Sequence, residues 1–176
     1  MNTRKILLDS FCKLIGDNDV DNVTVQMVLD HSEISRATFY RYYRDKYDLM
    51  NAFYKSHITS VLEQVDRGTP WPEVHDQIVQ HIYQNQTYYR RAFKTQGAES
   101  FEEFLSRFAF DYYASKLKED KGIDELDEFD CAMLEMVCGG HVSTLKKWVA
   151  RGCDTPPEVI TQVGLAFMPS NLLNAL

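Results

Sequence analysis

Between Thr24 and Lys46 the chain reads TVQMVLDHSEISRATFYRYYRDK, a segment rich in the residue types from which nucleic-acid contacts are built. An arginine can fork two N–H groups onto O6 and N7 of guanine, and a threonine or alanine methyl can meet a thymine methyl. Arg36, Ala37, Thr38 and Arg41, with Tyr42, fall on one face of a short helix, while Ile34, Phe39 and Tyr43 have the spacing to pack inward. Tyrosine hydroxyls and Lys46 suit phosphate oxygens, which fix position without reading sequence.

Such side chains work only if two helices hold them. Thr24 and Ser35 are hydroxyl caps, each opening a short apolar-patterned helix, and the interruption at His31-Ser32-Glu33 leaves room for a tight turn. Two short helices joined this way have the geometry of a helix-turn-helix, whose second helix enters the major groove.

Other chemistries find less support. His75 and His81 are six residues apart and point to different sides of a helix, and His31, His57 and His141 have no partner at ligand spacing, so no metal is expected. No GxSxG, HExxH or paired-carboxylate frame is present, and catalysis is not expected. Cys138-Gly139-Gly140 lacks the preceding strand and longer glycine frame of a phosphate loop. The two glycines are expected instead to let a neighbouring helix approach. No cofactor is expected.

The rest of the chain is helical in its periodicity, with no sustained two-residue alternation. The spacing predicts about nine helices, four of them grouped before Gly68-Thr69-Pro70-Trp71-Pro72. The last two cover roughly 125–151 and the stretch after Pro156-Pro157. An acidic run from Glu119 to Asp130 is expected to be a solvated loop and helix start, where negative charge suits the dipole. The aromatics from Phe101 to Tyr113, with Tyr83, Tyr88, Tyr89 and Phe93, are expected in the core.

No apolar run approaches the ~20 residues that span a bilayer. Asp9 interrupts the first apolar stretch, which argues against a signal peptide, and the four cysteines show no CxxC pairing. Reduced thiols and a cytoplasmic location are therefore expected. The net charge of -7 looks hostile to a polyanion until the chain is divided. Residues 1–60 hold eight basic and eight acidic side chains, whereas residues 61–176 hold 11 basic and 18 acidic. Residues 36–55 alone carry five basic side chains against two acidic ones.

Residues 3–56 resemble the N-terminal DNA-binding domain of the TetR family of bacterial transcriptional regulators. The strongest match is Ile34-Ser35-x-x-Thr38-Phe39-Tyr40-x-Tyr42-Tyr43-x-x-Lys46, followed by Tyr47-x-Leu49. The resemblance implies that Thr24, Tyr40, Tyr42 and Lys46, with Ser35 opening the same helix, lie against phosphates. It implies that Arg36, Ala37, Thr38 and Arg41 face bases. The run Asp45 to Leu49 is similar to a subgroup that includes activators of dihydroxyacetone utilisation. Three positions depart from the family pattern: Glu33 where the turn usually has Gly, Leu29 in place of a common Ala, and Ala37 in place of a common Gly.

The fold implied is all-α, with a helix-turn-helix head over residues 1–46 and a helical effector-binding and dimerisation body over 47–176. A connecting helix joins the two. A single head reads too few base pairs for useful specificity, so a homodimer on a palindromic double-stranded operator is expected. Val137, Cys138, Val142, Leu145 and Val149, with Val159, Ile160, Val163 and Phe167, offer two apolar stripes for pairing. A small-molecule effector, of no identity the sequence names, is implied by the resemblance. The alternative is a helical dimeric interaction module of the same fold that does not bind DNA, favoured by Glu33 and the modest basic charge. A helical small-molecule binder or enzyme is a third reading.

Overall fold

The computed structural model describes residues 2–176, which form ten α-helices and no strand. Asn2 caps α1 (Thr3–Asp17), its side-chain oxygen accepting from the Arg4 amide, and Leu7, Phe11 and Ile15 form the buried stripe at four-residue spacing. A single 3₁₀ turn, Val20–Asn22, leads to α2 (Val25–Ser32). Thr24 caps α2 and Ser35 caps α3 (Arg36–Tyr42), each accepting from the amide three residues on at 3.2 Å. Asp45 caps α4 (Lys46–Asp66), its carboxylate taking the amides of Tyr47 and Asp48 at 2.8 Å each. At 21 residues α4 is about 31 Å long, and it runs unbroken from the end of the helix-turn-helix into the remainder.

Gly68, at φ +88°, turns the chain out of α4 into α5 (Trp71–Gln84), with Pro72 in its first turn. There follow α6 (Gln86–Ala92), α7 (Phe101–Lys121), α8 (Glu128–Ala150), α9 (Pro157–Ala166) and α10 (Ser170–Ala175). In the body α7 packs on α8 and α10, and α5 on α4 and α9. At the other end α1 packs on α2, α4 and α6. Buried apolar side chains from Leu7 to Leu172 form one cluster across all of these elements. Several of the aromatics expected in the core are there: Phe101 meets Tyr54, Tyr89 and Phe93 at ring-centre distances of 5.9, 5.5 and 4.9 Å. Phe104, Phe108, Phe110 and Tyr112 are only half-buried against the core, and Tyr83 is 38% exposed.

The structure differs from the sequence expectation in four places. The tenth helix, α10, was not anticipated; Pro169 opens it without a side-chain cap, and its Leu172 is fully buried against the body. The 3₁₀ turn Val20–Asn22 has no counterpart among the expected elements. Asp130 is not solvated with its acidic neighbours: it is 1% exposed and ion-paired with Lys121, which ties the start of α8 to the end of α7. A β-carbon built on Gly139 or Gly140 meets nothing within 4 Å, so neither glycine makes room for a close helix contact within the chain. Gly140 instead opens onto a surface groove.

Candidate nucleic-acid interface

The α2–α3 turn works without glycine. Glu33 takes the left-handed conformation, φ 57° and ψ 25°, as the C-cap of α2. A side chain there costs on the order of 1 kcal/mol, so the turn keeps its shape and carries strain. Ser32 helps to hold it, its hydroxyl accepting from the Ile34 amide. Phe39 is fully buried and Tyr43 nearly so, which fixes which side of α3 faces inward. The opposite side presents Arg36, Ala37, Tyr40 and Arg41, all exposed, with Thr38 half-buried beside them. The four base-facing expectations therefore share one surface.

Around them the polar atoms are organised. Arg36 donates from a terminal guanidinium nitrogen to Gln26 Oε1 at 2.7 Å, and Gln26 Nε2 donates to Asp30 Oδ1 at 2.7 Å. Ser35 donates its hydroxyl to Thr38 Oγ1 at 2.9 Å. Tyr42 lies between two guanidinium groups, those of Arg41 and Arg4, at 5.2 and 5.4 Å from its ring centre. Gln26, Asp30 and Arg4 were not singled out from the sequence. Gln26 and Asp30 stand four apart on α2, the spacing at which helix side chains meet, and that was the available signal.

Lys46 is placed differently from the expectation of an outward phosphate ligand. Its ammonium donates to the carbonyls of Val20, Asp21 and Val23, each at 2.9 Å, which uses all three of its N–H groups. A cation on the first residue of a helix is disfavoured by the helix dipole, and the carbonyls at the end of the 3₁₀ turn offset this. Tyr47 adds a second tie, donating to Asp21 Oδ1 at 3.2 Å. Two ion pairs join this end of the molecule to the α6–α7 loop: Arg44 with Glu99 at 2.7 Å and Lys94 with Asp19 at 3.1 Å.

A second surface, of opposite character, lies along α8 and α9. Phe129, Met136 and Phe167 are 73%, 80% and 76% exposed, and with Met133, Gly140 and Val163 they line an apolar groove of about 600 Å³. Three side chains expected on a pairing surface are not here. Cys138, Val142 and Val149 are buried within the protomer, because α8 is apolar on two sides and this stripe is the one that faces the core. Val137 and Leu145 sit half-buried on the groove wall, Ile160 is buried beside them, and Val159, Val163 and Phe167 project outward.

Two histidine pairs form by tertiary contact. His75 and His141 meet at 5.8 Å between ring centres at the base of the groove, and His141 Nε2 bonds the Gly164 carbonyl at 2.9 Å. His57 stacks on His81 at 3.9 Å. Burial, helped by the neighbouring ring, pushes His75 and His81 each down to about 4, so both are neutral at neutral pH. Among the described residues no three His, Cys, Asp or Glu side chains converge as a metal site would need. No helix among them is long and apolar enough to cross a membrane.

Comparison with known proteins agrees with this arrangement. Residues 7–53 match the family model described as bacterial regulatory proteins, tetR family, and residues 69–168 match one described as a transcriptional regulator C-terminal region. A curated relative, the HTH-type dhaKLM operon transcriptional activator DhaS of Lactococcus lactis subsp. lactis (strain IL1403), is 22% identical over 103 residues. That match takes in 58% of this chain and 54% of the relative, so the chain spans about half the length of the curated protein it matches. Among solved structures, a dihydroxyacetone kinase operon activator DhaS superposes with a TM-score of 0.66 at 16% identity, covering 93% of this chain and 92% of the other. A TetR transcriptional regulator from Streptococcus agalactiae 2603V gives 0.62 at 23% identity, with 93% and 92% covered. Thermus thermophilus FadR, a TetR-family repressor in complex with lauroyl-CoA, gives 0.65 at 14% identity, with 93% and 91% covered. At these identities the structural likeness speaks for the fold. With the two family models spanning the helix-turn-helix and most of the body, the chain belongs to the TetR family of bacterial transcriptional regulators.

Proposed function

We propose that the protein reads a palindromic operator as a homodimer, with one α3 in the major groove of each half-site. The observation that carries this reading is the exposed face of Arg36, Ala37, Tyr40 and Arg41 held over a buried Phe39. On it Arg36 and Arg41 supply forks for guanine, and Ala37 and Thr38 supply methyl groups for thymine. Thr24, Ser35, Tyr40 and Tyr42 border the face and meet phosphates, with Arg4 adding positive charge. Lys46 serves from behind, fastening the head to α4. The functional division falls at the start of α4, residues 1–46 reading DNA and 47–176 pairing and receiving a signal.

The partner in pairing is a second copy of this chain, seated on the α8–α9 groove. Phe129, Met136 and Phe167 each leave more than two thirds of their surface exposed on this one face, and a second copy would cover them. Gly140, with no side chain and open space where a β-carbon would stand, lets a partner helix come close. An effector acting on the body shifts the spacing of the two heads and so selects between binding-competent and incompetent states. Relatives of the same fold are described in complex with lauroyl-CoA and with resorcinol, which favours a small organic molecule in that role. This reading places the protein in the cytoplasm with its operator.

A gel-shift titration against salt tests it. Sequence-dependent binding is expected, with a log–log salt slope of roughly -0.9 per phosphate neutralised. Arg36→Ala is expected to cost about 1–3 kcal/mol of discrimination at one base position. Binding that is absent at low salt, or blind to sequence, overturns the reading.

A further inference from the structure

We propose that Gln26, on the helix preceding the recognition helix, is a positioning residue that sets the base preference of Arg36. This rests on the DNA reading above. Arg36 is the first residue of α3 and exposed, and a free arginine side chain of that kind samples many rotamers, which it must give up to form a fork on a base. Gln26 removes part of that freedom before DNA arrives, by accepting one N–H of the guanidinium at 2.7 Å. Four N–H groups remain for a base or phosphate.

The direction of the amide is itself fixed. A glutamine can present either its oxygen or its NH₂ group, and only the oxygen suits a guanidinium. Asp30, one turn further along α2, accepts only, and it takes the Gln26 NH₂ at 2.7 Å. The oxygen is thereby left facing Arg36. The chain Asp30, Gln26, Arg36 thus runs from α2 to α3 across the turn, with every donor facing an acceptor. The middle member is neutral, so the guanidinium keeps its full charge for the DNA, and the carboxylate that orients the amide stays one residue removed from it. A carboxylate at position 26 would hold the arginine equally well and partly cancel its charge.

The experiment is selection from a randomised duplex library by the wild-type protein and by Arg36→Ala, Gln26→Ala and Gln26→Glu, with a circular dichroism melt of each. Arg36→Ala is expected to flatten one position in each half-site. Gln26→Ala should weaken preference at that same position by about threefold to tenfold, as expected for loss of one hydrogen bond, and leave the others intact. Gln26→Glu keeps the acceptor, so the preference should survive while affinity for all sequences falls. In an Arg36→Ala background, Gln26→Ala should change nothing further. A change at a different position would mean that Gln26 reads a base itself, and an unchanged profile would mean that the bond is not kept on DNA. Either result overturns the inference while leaving the DNA reading in place. A wild-type protein that enriches no sequence overturns both.

Discussion

The face of α3 and the face shared by α8 and α9 are both exposed and both built for contact, yet they are made in opposite ways. On α3 several polar side chains have a neighbour that directs them: Gln26 for Arg36, Ser35 for Thr38, and Arg4 and Arg41 around Tyr42. Along α8 and α9 the exposed groups are flexible or bulky apolar ones, Phe129, Met136 and Phe167, with no directional partner. A surface that must tell one base from another needs fixed donors and acceptors, since specificity comes from groups left unpaired by the wrong partner. A surface that only has to bring two identical chains together can rely on area and shape.

The contrast can be tested by damaging each face in turn. The largest effect is expected on the apolar side. Phe167→Asp puts a charge into the proposed interface and should weaken dimerisation by about 2–4 kcal/mol. Sedimentation should then report a single chain whose helical content is unchanged. Acid should act on the same side, through His75 at the base of the groove. Its imidazole titrates at about 4 in the fold against an ordinary 6.5, so between those values the unfolded chain holds the extra proton. Stability therefore falls as the pH drops from about 6.5 to about 4, by on the order of 3 kcal/mol from this group. Urea unfolding at a series of pH values should show that loss together with a similar one from His81, and His75→Gln should remove its own share and leave the other.

Behind the polar face, Lys46→Met leaves the Asp21 and Val23 carbonyls without this donor, while Val20 keeps the Val23 amide, and should cost about 1–3 kcal/mol of stability. Because Lys46 does not reach outward, the salt slope of DNA binding should stay the same. A slope smaller by about 0.9 with an unshifted melting temperature would return Lys46 to the phosphate contacts. The smallest effect is expected from Glu33→Gly, which relieves left-handed strain but gains unfolded-state entropy. The net gain should be under about 1 kcal/mol, readable as a small rise in melting temperature.

The polar face was legible in the sequence because local rules built it. Thr24 and Ser35 are cap residues whose action reaches only three positions, and both cap as expected, with Asp45 adding a third cap by the same local rule. The position of Phe39 then decides which side of α3 faces out. Glu33 could be flagged from its place in the turn, although only coordinates could tell a strained turn from a reshaped one. The apolar face was less legible, because periodicity finds apolar stripes without saying which of two faces the core. Residues 138, 142 and 149 follow one stripe of α8 and residues 129, 133, 136 and 140 another. Packing against α6 and α7 separates them. The Lys46 clasp and the His75–His141 pair join residues more than twenty positions apart, and no local rule reaches that far. The six residues of α10 were missed because a segment of under two turns is too short to show a helical period.

The apolar side chains from Leu7 to Leu172 belong to a single cluster, and this bears on how the molecule melts. A chain whose reading end and pairing end share one interior should lose both in a single cooperative transition, with calorimetric and van't Hoff enthalpies equal. Any ligand of the folded state then stabilises the whole. A duplex held on α3 at a hundred times its Kd adds about 2.7 kcal/mol, felt as much by the tryptophans of α5 and α8 as by the residues it touches. Trp71 and Trp148, far along the chain from the contacts, become reporters of operator binding without any label.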